Sequence, residues 1–166
     1  MRVLVAVASR HGATHEIAAA LGERLAGHGL RVVVADAEVV DDLERYDAVV
    51  LGSAVYAGHW LESARDLVER LRDPLMQRPL WLFSSGPVGT PPKPVEEALE
   101  PQRLARELGA RAHRVFAGRI DRDRLTFGER ALVRALRAPV GDFRNWADVA
   151  SWADEIHAAL VAAPAV

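Results

Sequence analysis

The chain contains no cysteine, which removes disulfide frameworks, thiol nucleophiles, thiolate zinc sites and cysteine-ligated iron-sulfur clusters together. Any redox chemistry must come from a borrowed cofactor. Long apolar runs are missing too: Val3-Leu4-Val5-Ala6-Val7, directly after Met1-Arg2, is too short for a signal-peptide core or a bilayer span. The expected location is therefore cytoplasmic. Charge of one sign is also lacking, since the net charge is -2 and the arginines are spread along the chain, so nothing points to nucleic acid. No Gly-Lys-Ser/Thr phosphate loop and no G-x-G-x-x-G pattern occurs. No pair of histidines has metal-site spacing with a third carboxylate, so no metal is expected. Repeats are absent, and the one biased stretch is an Ala/Pro/Val tail at 162–166, expected to fray.

What is present is a chain of 166 residues, half of them hydrophobic, enough for one domain over 1–161 with a sizeable core. Five short apolar runs read as buried strands: Val3 to Val7, Leu30 to Ala35, Ala48 to Leu51, Leu80 to Phe83 and Val115 to Ala117. Helical faces separate them. Ile17, Leu21 and Leu25 form one; Leu61, Ala64, Leu67, Val68 and Leu71 form another; Val149, Trp152, Ala153, Ile156 and Leu160 form the last, with Asp142 or Asn145 as its start signal. This alternation predicts a doubly wound α/β fold, a five-stranded parallel sheet with helices on both faces. Order 2-1-3-4-5 is expected, with ligands at the carboxyl ends of strands 1 and 3. Residues 121–145 do not fit the alternation and insert a basic amphipathic segment before the last helix. Leu125, Phe127, Leu132 and Leu136 form its apolar stripe. An ordinary helix on the sheet edge is the preferred reading, and contact with an anionic membrane surface the alternative.

The loop after the first strand, Ser9-Arg10-His11-Gly12-Ala13-Thr14, places hydroxyls and a glycine at a helix N-terminus, where backbone N–H groups and the helix dipole attract an anion. It reads as a phosphate cradle, a plain N-cap being the bland alternative. After the third strand, Ser53, Ala54, Val55, Tyr56, Ala57 and Gly58 combine small residues with a ring suited to a flat heterocycle, Tyr56 or Trp60 being the stacking candidate. The loop after the fourth strand, Ser84, Ser85, Gly86, Pro87, Val88 and Gly89, offers backbone groups to a polar edge. A phosphate pocket beside two ring-lining loops spells FMN. Catalytic residues are not identifiable from spacing. Arg10, His11, His15, His59 and Lys93 lie in or beside these loops with no carboxylate inside them, predicting an excess of positive charge around the ring.

The order of these motifs, together with Phe116-Ala117-Gly118 and the run from Asn145 to Ala153, resembles the flavodoxin-like family that includes the menaquinone-dependent protoporphyrinogen IX dehydrogenases. The phosphate loop is similar to the pattern Thr/Ser-x-Thr-Gly-x-Thr at Ser9, Gly12 and Thr14, and departs from it at His11. The resemblance implies a flavoprotein oxidoreductase that takes electron pairs from a porphyrinogen and passes them to a quinone. A one-electron carrier flavodoxin with a protein partner, and an interaction module without flavin, are the alternatives. Neither oligomeric state nor pathway follows from the residues.

Overall fold

A computed structural model describes residues 1–86 and 98–162. β1 (Arg2–Ala8), β2 (Arg31–Asp36), β3 (Ala48–Tyr56), β5 (Leu80–Ser85) and β6 (Ala112–Phe116) form a parallel sheet in the order β2-β1-β3-β5-β6. The short β4 (His59–Trp60) pairs antiparallel with the end of β3. Counting the parallel strands alone, the order is the expected 2-1-3-4-5. The chain leaves β1 for β2 on one side and returns to β3 on the other, and this reversal opens a crevice at the strands' carboxyl ends.

The Val-rich runs form strands because both sheet faces are covered. Val3, Val5 and Val7 pack with Val50, Trp81 and Phe83 beneath α1 (Ala13–Gly27) and α6 (Trp146–Ala162). Leu4, Ala6, Leu51 and Leu82 face α2 (Glu62–Arg70), α3 (Arg72–Met76) and α4 (Leu99–Glu107) on the other side. Phe83, Phe116 and Trp152 meet edge to face with centroids 5.6 to 6.1 Å apart. Gly52 permits this arrangement, because a Cβ there would lie 2.1 Å from the Phe83 ring. All five residues expected on the last helical face are buried. Asn145 starts that helix, its Oδ1 accepting from the Ala147 and Asp148 N–H groups at 3.1 and 3.2 Å; Asp142 is used elsewhere.

Two expectations shift. The fifth parallel strand runs from Ala112 to Phe116 rather than from Val115 to Ala117. It is an edge strand in which the adjacent polar residues His113 and Arg114 interrupt the apolar positions, so no continuous apolar run marks it. The inserted segment is also more than one helix on the sheet edge. β7 (Arg119–Ile120) and β8 (Gly141–Asp142) pair antiparallel and carry between them α5 (Phe127–Ala135), none of whose residues is buried. Phe127 is 90% exposed and so lies outside any stripe turned toward the protein. Among the described residues no helix is long and apolar enough to cross a membrane.

Candidate functional site

The turn from β1 into α1 is built around Gly12, whose φ of 86° lies in the left-handed region where a side chain is strained. Its N–H donates to Ser9 Oγ at 3.1 Å, and its carbonyl accepts the Glu16 N–H at 3.0 Å. The first-turn N–H groups of Ala13, Thr14 and His15 therefore point out of the helix without intrahelical acceptors. Thr14 is buried and, with Ser9, Arg10, His11 and Ala13, lines a cavity of about 830 Å³. Gly12 shapes the turn from behind and does not line the cavity.

The second wall comes from β3. Ala54, Val55, Tyr56, Ala57 and Gly58 all line the cavity. Ala57 and Gly58 both have positive φ, at 50° and 80°, closing a tight hairpin that pairs Tyr56 with His59. Ser53 is fully buried and stands outside the lining; its Oγ donates to the Ala54 carbonyl at 2.8 Å and accepts the Leu61 N–H at 3.0 Å, fixing the hairpin base. Trp60 is a core residue, 1% exposed, with its Nε1–H donating to Ser84 Oγ at 2.9 Å. That leaves Tyr56, 40% exposed, as the ring available for stacking. Arg10 caps one face of it, 4.7 Å from the centroid. Burial raises the Tyr56 hydroxyl above its usual pKa. Ser84, Ser85 and Gly86 line the third wall, and Ser84 Oγ also meets His113 Nε2 at 2.9 Å. Pro87, Val88 and Gly89, expected to extend this wall, lie outside the described residues.

The fourth wall was not anticipated. Leu125, Leu132, Val133, Leu136 and Ala138 of the insert give the cavity an apolar side opposite the sheet. The insert is fastened to the turn between β1 and α1 at three points. Glu129 Oε1 lies 3.1 Å from both Arg10 Nη1 and His11 Nε2; because a carboxylate only accepts, His11 carries its proton on Nε2. Arg124 Nη1 donates to the His11 carbonyl at 2.9 Å. Arg144, its side chain 3% exposed, donates to the Ala13 carbonyl at 3.1 Å and pairs with Glu16 at 2.7 Å and Asp142 at 2.6 Å. Hydrogen bonding to Arg144 lowers the pKa of both carboxylates.

The described groups expected to supply positive charge each meet a carboxylate, while Arg119 and Arg124 also line the cavity. Arg10 and His11 share Glu129, His15 faces Asp36 at 3.7 Å, and His59 faces Glu100 at 3.2 Å. Lys93 lies outside the described residues. The acids come from distant segments, so inspection of the loops alone could not find them. One signal did exist: Thr126 and Glu129 have capping-box spacing, and the structure forms that box at the start of α5.

The residues fit FMN. A turn with outward N–H groups and two hydroxyls suits the phosphate, while small residues and one aromatic suit a flat ring. The cavity volume falls within the range of cofactor pockets. A flavodoxin domain model matches residues 4–145. Over 173 aligned residues, spanning 94% of each chain, the sequence is 24% identical to protoporphyrinogen IX dehydrogenase (quinone) of Escherichia coli. Among solved structures, a cysteine-to-serine variant of flavodoxin from Pseudomonas aeruginosa superposes with a TM-score of 0.66 at 17% identity, covering 97% of this chain and 99% of its own. A Streptococcus pneumoniae flavodoxin gives 0.64 at 18% identity, covering 96% and 99%. The sheet order, the glycine turn under the cavity and the match over 4–145 agree: this chain belongs to the flavodoxin domain family, which implies FMN as its cofactor.

Proposed function

We propose that this protein is an FMN-dependent oxidoreductase that takes electron pairs from a porphyrinogen-like donor and delivers them to a quinone. The observation that carries this reading is the apolar wall of Leu125, Leu132, Val133, Leu136 and Ala138, which faces the ring-lining loops across the same cavity. A carrier that only meets protein surfaces at a ring edge has no need of such a chamber. A flat lipophilic reactant does. The likeness to the Escherichia coli dehydrogenase supports the same pair of reactants.

In this reading Ser9, Thr14 and the first turn of α1 bind the phosphate, and Ala54 to Gly58 with Ser84 to Gly86 orient the ring. FMN, when bound, supplies an acceptor and donor of electron pairs. The insert excludes water and seats the second reactant. Leu132 and Leu136, 57% and 65% exposed, form an open apolar mouth through which that reactant enters. Basic residues Arg130, Arg134 and Arg137 flank this mouth in sequence, so contact with an anionic membrane is compatible with quinone delivery.

The test is anaerobic turnover of protoporphyrinogen IX by the FMN-loaded protein with menadione as acceptor, followed by protoporphyrin fluorescence. Protoporphyrin should form at a rate set by protein and menadione concentration. If protein with bound FMN adds nothing to the rate without protein, while menadione still reoxidises its reduced flavin, the porphyrinogen assignment falls. If menadione also fails to reoxidise it, the carrier reading replaces this one.

A further inference from the structure

The insert brings a cation to the place where the phosphate loop is chemically thinnest. At position 11 the loop carries an imidazole that is held by Glu129, so Ser9 and Thr14 are its hydroxyls. Arg10, the loop's own guanidinium, is drawn toward the ring side by Glu129 at 3.1 Å and by the face of Tyr56 at 4.7 Å. Arg124 lies over the turn instead. It comes from 113 residues further along the chain to donate from Nη1 to the His11 carbonyl at 2.9 Å, and it lines the cavity. A Cβ added to Gly12 would stand 3.1 Å from the same Nη1. The bare glycine thus leaves room for the guanidinium as well as permitting the turn. Asp121 holds Arg124 only loosely, at 3.7 Å through Nε, and among the described residues no acceptor takes its Nη2.

We propose that Arg124 is a phosphate-binding residue of the flavin site, gripping the FMN phosphate from the insert side while Ser9, Thr14 and the first turn of α1 hold it from the other. The proposal rests on the FMN reading of the cavity. A guanidinium suits this task because its planar fork meets phosphate oxygens with two parallel charge-assisted hydrogen bonds and does not lose its proton. Its place on the insert also links phosphate binding to the seating of the apolar wall.

Riboflavin, which has the ring but no phosphate, separates this role from general support of the cavity. FMN and riboflavin are titrated into apo-protein, with quenching of flavin fluorescence as the readout, for the parent, Arg124→Ala, Arg124→Gln and Arg124→Lys. Removing the charge should raise the FMN dissociation constant roughly ten- to hundredfold and leave that of riboflavin unchanged. Arg124→Lys should recover part of the loss. Arg124→Gln keeps a polar stem over the loop and should behave like Arg124→Ala, which guards against a folding defect in the smaller variant. Unchanged FMN affinity, or equal weakening toward FMN and riboflavin, would overturn the proposal. A parent that binds both flavins equally would overturn it while leaving the ring site standing. A parent that binds neither would overturn the FMN reading as well.

Discussion

Glu129 in α5 and Arg10 in the turn after β1 are 119 residues apart in sequence, yet their side chains meet at 3.1 Å. The Thr126 N–H donates to the same carboxylate at 2.8 Å, so one group caps the helix and docks it on the loop. Together these bonds, the Thr126 backbone foremost, hold the Glu129 carboxyl down at about 2.

A pH dependence follows from that displacement. A carboxyl whose folded-state pKa is depressed contributes stability that is fully present above its unfolded value, near 4.5, and is lost as pH falls toward about 2. Glu129→Gln should therefore lower the Tm at pH 7, and the gap from the parent should narrow steadily below pH 4.5. A gap that stays constant down to pH 3, about as far as such scans are practical, would mean that the carboxylate's charge is not what anchors α5.

The same variant should shift the flavin potential. Arg10 loses its counter-charge in Glu129→Gln, and a less negative surrounding favours added electrons. A change of about 1.4 kcal/mol corresponds to roughly 60 mV for a one-electron step, and solvent screening reduces it. A positive shift of some tens of millivolts is expected by spectroelectrochemistry. A negative shift would show that Glu129 does not act on the ring electrostatically.

Thr14 is buried in the first turn of α1 at the cavity wall. In the proposed site the Thr14 hydroxyl donates to the phosphate; Thr14→Ala would remove that charge-assisted hydrogen bond, worth roughly 1.5 to 3 kcal/mol, so FMN should bind about ten- to hundredfold more weakly. Gly12→Val should be worse, because it combines strain at positive φ with a clash against Arg124. Parent-like titration of Thr14→Ala would place the phosphate elsewhere.

Arg144 is the best-buried cation of the insert, tying Glu16, Asp142 and the Ala13 carbonyl to one guanidinium. Arg144→Ala removes the shared guanidinium, leaving Glu16 to Arg119 and Asp142 to the backbone N–H of residue 144. Removing one partner of a well-buried pair costs about 3 to 5 kcal/mol; with Glu16 and Asp142 each 42% exposed, a loss of about 2 kcal/mol is expected from urea unfolding. Stability equal to the parent's would show that the carboxylates are adequately hydrated without it.

The sheet was legible because its central strands are buried on both faces, and a run such as Val3 to Val7 has no other stable home. The turn from β1 into α1 was legible for a related reason: a glycine between hydroxyls at a strand-to-helix junction is a local pattern. The insert was not. Its effect depends on Arg124, Glu129 and Arg144 reaching residues more than a hundred positions away, and no periodicity encodes such contacts. Trp60 was ambiguous for the opposite reason, since an indole beside small residues suits a ring site and a core equally well. Its burial, with the bond from Nε1 to buried Ser84, decides for the core.

The central claim is that this cavity holds FMN with its phosphate on the turn from Ser9 to Thr14. The most direct measurement is titration of the apo-protein with FMN, following absorbance and quenching of the free-flavin fluorescence. Saturation at one FMN per chain, with structured flavin bands and a dissociation constant well below that of riboflavin, is the predicted result. A protein that stays colourless and leaves flavin fluorescence unchanged would contradict the account.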